Sequence, residues 1–159
     1  MQRRQSGFTV AELITVCAII AILAAVAMPV ARLGIRRQKE VELRYKLRKI
    51  TEAIDRYHDL RMMPEGQPYS IKGPREYGAG DYPKSLEELT KPIELVNGRK
   101  IRLLRERDLI DPMTGKNDWI TLSDSDDPDT SSSNGANVYE VHSKSPAKAL
   151  DGKTRYNEW

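Results

Sequence analysis

Glu12 is the residue whose surroundings most clearly call for chemistry, because it is the one carboxylate in the apolar run that begins at Phe8. Residues 13–31 carry no charged side chain at all. A carboxylate costs about 2.5–3.5 kcal/mol at a membrane-helix centre, and an acid at the edge of an apolar segment still needs a partner. We therefore predict that Glu12 pairs with a cation.

Catalytic chemistry is harder to assemble from this chain. Its two histidines, His58 and His142, have no cysteine or second histidine nearby, and the single cysteine, Cys17, lies in the apolar run. No serine stands in a nucleophile-elbow context, so no nucleophile with its base and orienting acid emerges from the motifs. We predict that the protein is not an enzyme, that His58 is a solvated helix residue and that no disulfide forms within the chain.

The apolar run predicts the helix that must position Glu12. Its 19 uncharged residues, rising about 1.5 Å each, extend about 28 Å, close to the hydrocarbon thickness of a bilayer. The helical pattern continues beyond Pro29, which lacks an amide hydrogen and cannot complete a helical hydrogen bond. The run can therefore span a membrane.

Residues 6–13, with the sequence SGFTVAEL, and the apolar residues 14–30 resemble the class III signal of type IV pilins and type II secretion pseudopilins. The resemblance implies that a prepilin peptidase cuts after Gly7 and methylates the new amino terminus at Phe8. It also implies that Glu12 pairs with the terminal amine of a neighbouring subunit, which is the cation that the chemistry requires. Pro29 matches the family's helix-loosening proline.

An ordinary secretory signal peptide is the competing interpretation. A basic start, an apolar stretch at residues 13–24 and the A-x-A sequence at residues 25–27 would place the cut before Met28. Against this, an acid abutting the apolar stretch is unusual for an export signal. A mature protein that begins at Phe8 rather than Met28 distinguishes the two.

Charge near the ends of the span disagrees with the topology that the resemblance implies. The leader carries Arg3 and Arg4, whereas the far side carries four cations: Arg32, Arg36, Arg37 and Lys39. The positive-inside rule therefore favours a cytoplasmic C-terminal side. The resemblance instead implies a single-pass protein of the bacterial inner membrane with a cytoplasmic leader and a periplasmic C-terminal domain.

Residues 32–61 predict an amphipathic continuation of the same helix. One face carries apolar residues at spacings of three and four, with Ala53 beside them: Leu43, Leu47, Ile50, Ile54 and Tyr57. Ten basic residues against five acids occupy the other faces. Such a helix could bind nucleic acid or anionic lipid headgroups, but acids at helical spacing favour a solvated or subunit-facing surface, and no nucleic-acid partner is expected.

The remaining chain predicts a small domain that covers this apolar face. Prolines and glycines in residues 62–81 indicate a loop, and Ser85 with Glu88 indicates a capping box at the start of a short helix. Strands are predicted at residues 100–104, 119–122 and 138–141. Asp111-Pro112 begins a turn in which Gly115 lets the chain reverse.

Several of these segments extend the resemblance to pseudopilins. Residues 82–89, with Tyr-Pro followed by Ser-Leu-x-x-Leu, resemble the connection between the spine helix and the sheet. Residues 104–119, which contain the sequence DPMTGKNDW, and the tail YNEW at residues 156–159 are similar to a branch that includes the major type II secretion subunit.

Many major pseudopilins bind calcium in a loop near the C-terminus. Here the candidate calcium ligands are Asp124, Asp126, Asp127 and Asp129, whose hard oxygens suit the ion. The same segment equally resembles a mobile solvated loop. The spaced glycines and aspartates of the family's calcium loop are not evident in this tail.

The combined prediction is an α+β, type IV pilin-like fold in which a long N-terminal helix packs on a small antiparallel sheet of about three strands. Residues 1–7 form the leader, 8–31 the transmembrane and assembly helix, and 32–159 the soluble domain. That domain divides into the helix at 32–61, a loop and short helix at 62–97, and the sheet with C-terminal loops at 98–159.

The resemblance implies a structural subunit of a type II secretion pseudopilus that supports protein export. A type IV pilus subunit for adhesion, motility or DNA uptake is the alternative. The implied partners are copies of itself in a helical filament, minor pseudopilins, prepilin peptidase, the inner-membrane assembly platform and membrane lipid. No cofactor is implied except calcium.

Overall fold

The computed structural model describes Gly7 and residues 9–74, 80–127, 130 and 133–159. Phe8 and Asp129 lie outside the described residues. The chain divides into an N-terminal unit, Met1–Gln38, and a C-terminal unit, Lys39–Trp159.

A single α-helix, α1, runs from Val10 to Met62 over 53 residues. Pro29 lies inside it, so the helical pattern that was expected to continue beyond this residue does so. Within the N-terminal unit the apolar side chains of α1 are exposed, including Leu23 and Val26. The helix therefore presents an uncovered apolar surface in this unit.

In the C-terminal unit, α1 buries the predicted apolar face. Leu47 is partly buried, and the other members of that face are buried together with Leu60: Leu43, Ile50, Ala53, Ile54 and Tyr57. The short helix α2, Leu86–Thr90, buries Leu86 and Leu89 in the same core. The prediction of an amphipathic face that needs a cover is confirmed.

The fold is α+β, as predicted, but the strands form two sheets instead of one. Strand β1, Ile93–Glu94, pairs antiparallel with β2, Lys100–Ile101, and β3, Ile120–Leu122, pairs antiparallel with β4, Glu140–His142. Thr121 lies opposite Val141 in the second sheet. The predicted strands at residues 100–104 and 138–141 were therefore too long or displaced.

Hydrogen bonds to neighbouring segments explain the shorter strands. The Leu104 amide donates to the Leu89 carbonyl over 2.9 Å, so β2 ends and the chain enters a 3₁₀ turn at Glu106–Leu109. The Val138 amide donates to the Pro83 carbonyl over 2.8 Å, which delays the start of β4. These two amides therefore form hydrogen bonds with other segments and not with the neighbouring strands that local β-propensity suggested.

The predicted capping box at α2 is wrong. Ser85 occupies the N-cap position but makes no side-chain capping hydrogen bond. The Glu88 carboxylate instead accepts a hydrogen bond from the Lys84 amide at 3.0 Å and another from the Tyr57 hydroxyl at 2.7 Å. Burial, followed by the hydrogen bond to Glu88, raises the pKa of Tyr57 above its usual range, so the phenol stays protonated and ties α2 to α1.

Candidate functional site: the start of the helix and the C-terminal clamp

Glu12 lies in the first turn of α1 and forms a reciprocal capping box with Thr9. The Glu12 Oε2 atom accepts a hydrogen bond from the Thr9 amide at 2.9 Å and one from the Thr9 hydroxyl at 3.0 Å. The Glu12 amide in turn donates to the Thr9 Oγ1 atom at 3.3 Å. The cap satisfies amide groups that have no partner inside the helix.

The sequence carried the signal for this cap, since a threonine followed three residues later by a glutamate before an apolar run is a capping-box pattern. Sequence reasoning assigned that pattern to Ser85 and Glu88 and missed it at Thr9. Among the described residues, both hydrogen bonds to the Glu12 carboxylate reach Oε2, and none reaches the second oxygen, Oε1. The carboxylate can therefore cap its own helix and still present an oxygen to a cation.

The helix that follows contains a stretch long and apolar enough to cross a membrane, judged by length and composition. Gly7 is exposed, and so is the Cys17 side chain within the apolar stretch. The predicted peptidase site thus lies just before a helix of spanning length. Because Phe8 is outside the described residues, cleavage, methylation and the pairing with Glu12 stay predictions.

In the C-terminal unit, the chain's last residues clamp onto α1, which sequence reasoning did not foresee. The Glu40 Oε1 atom accepts hydrogen bonds from the Leu150 amide at 2.6 Å and from the Tyr156 hydroxyl at 2.8 Å. The Arg44 guanidinium lies 4.3 Å from the centroid of the Trp159 ring, within cation–π range. Tyr156 and Leu43 are buried in the same apolar cluster. We call these contacts the C-terminal clamp.

The turn at Asp111 is a buried polar junction rather than only a hairpin. Asp111 is fully buried, and its carboxylate accepts hydrogen bonds from the Met113 amide at 2.7 Å and the Ser143 hydroxyl at 2.6 Å. The Asp111 amide donates to the Lys116 carbonyl at 2.8 Å. Gly115 has a φ of +72°, the left-handed conformation expected of the residue that reverses the chain.

The helix charges were interpreted as a solvated or subunit-facing surface, but two lysines of α1 contact the rest of the C-terminal unit instead. Lys46 Nζ donates to the Ile110 carbonyl at 2.7 Å, and Lys49 Nζ lies 2.6 Å from the Asp108 carboxylate. Burial by itself raises the pKa of Asp108, but the hydrogen bond and charge of Lys49 outweigh burial and leave the pKa below its usual value.

The candidate calcium loop uses its carboxylates to hold its own backbone and side chains. Asp126 accepts from the Ser123 amide at 2.8 Å and the Asn134 amide at 3.1 Å, and the Ser123 bond lowers the pKa of Asp126 below its usual value. Asp124 accepts from the Asn137 amide side chain at 2.8 Å. Within the described ranges, no three His, Cys, Asp or Glu side chains are grouped to hold a metal ion. Since Asp129 is not among the described residues, calcium binding stays a prediction.

The histidines have packing roles. His58 stacks on Tyr82 with ring centroids 4.3 Å apart and is half-buried, so the prediction of a solvated His58 is wrong. The His142 Nδ1 atom lies 2.7 Å from the Trp159 carbonyl oxygen and joins the second sheet to the clamp.

Comparison with known families decides the class of the N-terminal segment. Residues 2–28 match the prokaryotic N-terminal methylation motif. This motif is typical of type IV pilin-like and pseudopilin precursors. No curated protein and no solved structure matches the chain.

The methylation motif contains Gly7, Phe8 and Glu12. It marks a class of structural subunits rather than enzymes. The motif and the long apolar helix together are consistent with anchoring in a membrane by a single pass. The resemblance seen at residues 6–30 is therefore confirmed at the level of the pilin-like class.

Proposed function

We propose that this chain is a structural subunit of a type II secretion pseudopilus and is not itself an enzyme. The methylation motif at residues 2–28 is the observation that carries the pilin-like part of the proposal, because it joins a peptidase signal to an apolar helix of spanning length. The precursor rests in the inner membrane with its C-terminal unit in the periplasm. After cleavage by prepilin peptidase, it polymerises and supports protein export across the outer membrane.

Assembly rests on Glu12 and on the apolar half of α1. The exposed apolar side chains of α1 face lipid in the precursor and pack against other copies in the filament. Because lipid tails are as apolar as these side chains, the exchange contributes little hydrophobic free energy to assembly. The carboxylate of Glu12 then supplies register, since a charge buried away from water must find its partner. That partner is the Phe8 amine of a neighbouring subunit. The Glu12 Oε1 atom is available for it while Oε2 keeps the bonds from Thr9.

The choice of a secretion pseudopilus over a type IV pilus rests on the resemblance of residues 104–119 and 156–159 to pseudopilins. In the structure these segments form the Asp111 junction and the C-terminal clamp. Minor pseudopilins and the inner-membrane assembly platform are the further partners that this proposal requires.

Coexpression of the full chain with prepilin peptidase and the assembly platform tests the proposal in two steps. Mass spectrometry of the mature protein should find methylated Phe8 at the amino terminus, whereas a start at Met28 would establish a secretory signal peptide. Glu12→Gln should be cleaved normally yet yield few filaments by electron microscopy. Glu52→Gln, an exposed position on α1, is the matched control and should assemble like the wild type.

Deletion of the gene separates the two filament classes. A pseudopilin deletion should abolish secretion of exported proteins and leave twitching motility and DNA uptake intact. The opposite pattern would assign the chain to a type IV pilus.

A further inference from the structure

Three arginines directly follow the apolar stretch of α1, and the proposed assembly of the helix makes no use of them. Arg32 is the first charged residue after Glu12, and Arg36 and Arg37 follow within two helical turns. No carboxylate occurs in the sequence between Glu12 and Glu40. This group, which we call the arginine cluster, is not explained by topology, since its charge opposes the orientation proposed above.

The position of the arginine cluster along α1 matches the headgroup layer of a bilayer. The polar layer on each side of the hydrocarbon is about 5–8 Å thick. At about 1.5 Å per residue, Arg36 and Arg37 lie about 6–8 Å beyond Arg32 along the helix axis. A helix that spans with its apolar stretch therefore holds all three arginines at the depth of the lipid phosphates.

Exposure and local contacts leave two members of the cluster, Arg32 and Arg37, open to a ligand. Arg32 and Arg37 are exposed, and within the described part of the chain no carboxylate lies at ion-pair distance from either. The Arg32 Nη2 atom lies 3.7 Å from the Met28 Sδ atom, so its side chain runs back along the helix toward the apolar stretch. A thioether is only a weak acceptor, and this contact leaves the guanidinium at the boundary between apolar and polar surroundings.

The chemistry of the cluster favours phosphate. A guanidinium offers a planar fork of donors that binds phosphate oxygens in a bidentate way and is more weakly hydrated than an ammonium group. The segment between Glu12 and Glu40 contains no acidic side chain. The phosphate of an anionic lipid would provide the negative charge instead. We propose that the cluster, through its exposed members Arg32 and Arg37, binds the headgroups of anionic phospholipids, such as phosphatidylglycerol, and holds the subunit at a defined depth. Because both leaflets carry headgroups, the inference does not depend on orientation or on the filament class.

Electron spin resonance of spin-labelled lipids tests this on the full chain reconstituted in phosphatidylcholine vesicles. The measured quantity is the ratio of the association constants for labelled phosphatidylglycerol and labelled phosphatidylcholine. This ratio should exceed one in the wild type, because each arginine at a membrane surface favours anionic lipid by roughly five-fold. The triple variant R32Q/R36Q/R37Q should reduce that ratio to near one. The triple variant R99Q/R102Q/R105Q removes the same charge from exposed positions of the C-terminal unit and should keep it.

The single variants R32Q and R37Q should each lower the ratio, which keeps the test decisive if the triple variant inserts poorly. A wild-type ratio near one, an unchanged ratio in both single variants, or equal losses in the two triple variants would overturn the proposal. Labelled duplex DNA added to the vesicles is the remaining arm. DNA binding that displaces phosphatidylglycerol and depends on the same arginines would assign the cluster to nucleic acid instead.

Discussion

The Tyr156 hydroxyl donates a hydrogen bond to the Glu40 carboxylate over 2.8 Å, across 116 positions of sequence. Tyr156 is only 1% exposed, and its ring packs in the cluster that contains Leu43 and Ala149. A hydrogen bond to a charged acceptor contributes about 1.5–3 kcal/mol. This contact therefore makes the end of the chain part of the core of the C-terminal unit.

We expect Tyr156→Phe to lower the free energy of unfolding of the C-terminal unit by about 1–3 kcal/mol, because the ring stays buried but the Glu40 bond is lost. Urea unfolding of the full chain in detergent, followed by circular dichroism, measures the change. Tyr69→Phe removes a hydroxyl from an exposed tyrosine and should leave stability unchanged. A Tyr156→Phe curve that overlays the wild type would show that the hydroxyl does not stabilise the clamp.

The Thr9 cap predicts a local effect at the start of α1. Thr9→Val removes the hydroxyl that both donates to and accepts from Glu12, and loss of an N-cap oxygen costs about 0.5–2 kcal/mol. We expect faster amide hydrogen exchange in the first turn of α1 in micelles, with later turns unaffected. Thr9→Ser keeps the hydroxyl and should exchange like the wild type. Equal protection in all three proteins would contradict a stabilising cap.

The ion pair between Asp108 and Lys49 should make the stability of the C-terminal unit depend on pH. The pKa of Asp108 is below the ordinary value of 3.8 in the folded protein, so its pairing with Lys49 stabilises the fold above that value. The stabilisation is lost as pH falls through the lower folded-state pKa. We expect Asp108→Asn to be less stable than the wild type at pH 7, with the difference shrinking below about pH 4.

Urea unfolding of wild type and Asp108→Asn at several pH values checks this. Asp59→Asn, at an exposed position of α1, is the control and should differ little from the wild type throughout. A difference for Asp108→Asn that stays constant or grows on acidification would reject the Lys49 pairing as its source.

We expect an alanine at Gly80 to destabilise the fold by steric overlap, and the same substitution at Gly98 separates this effect from backbone strain. Gly80 and Gly98 both have positive φ, +64° and +79° respectively. A Cβ atom on Gly80 would overlap the Asp124 carboxylate and lie 3.1 Å from the Asn137 side-chain nitrogen, whereas one on Gly98 would meet nothing. Gly80→Ala should therefore destabilise by more than the roughly 1 kcal/mol expected of Gly98→Ala. Thermal unfolding of both variants makes the comparison, and equal losses would mean that the Asp124 loop moves aside.

The features that the sequence determined by itself are those set by local pattern. An uncharged run of spanning length with Glu12 at its edge predicts a membrane helix and a need for a cation, whatever the rest of the chain does. The spacing of Leu43, Ile50 and Tyr57 predicts one buried helix face because helical periodicity alone places them together. The motif at residues 2–28 belongs to the same category.

Only the tertiary structure decided which distant groups meet. Two sheets replaced one because amides of Leu104 and Val138 found carbonyl partners outside the ladders. Lys49 turned from a solvated charge into the partner of Asp108, and Tyr156 reached Glu40 from the far end of the chain. Short strands and single charges have weak local preferences, so contacts made on folding outweigh them. Periodicity over many residues, by contrast, adds up within the sequence itself.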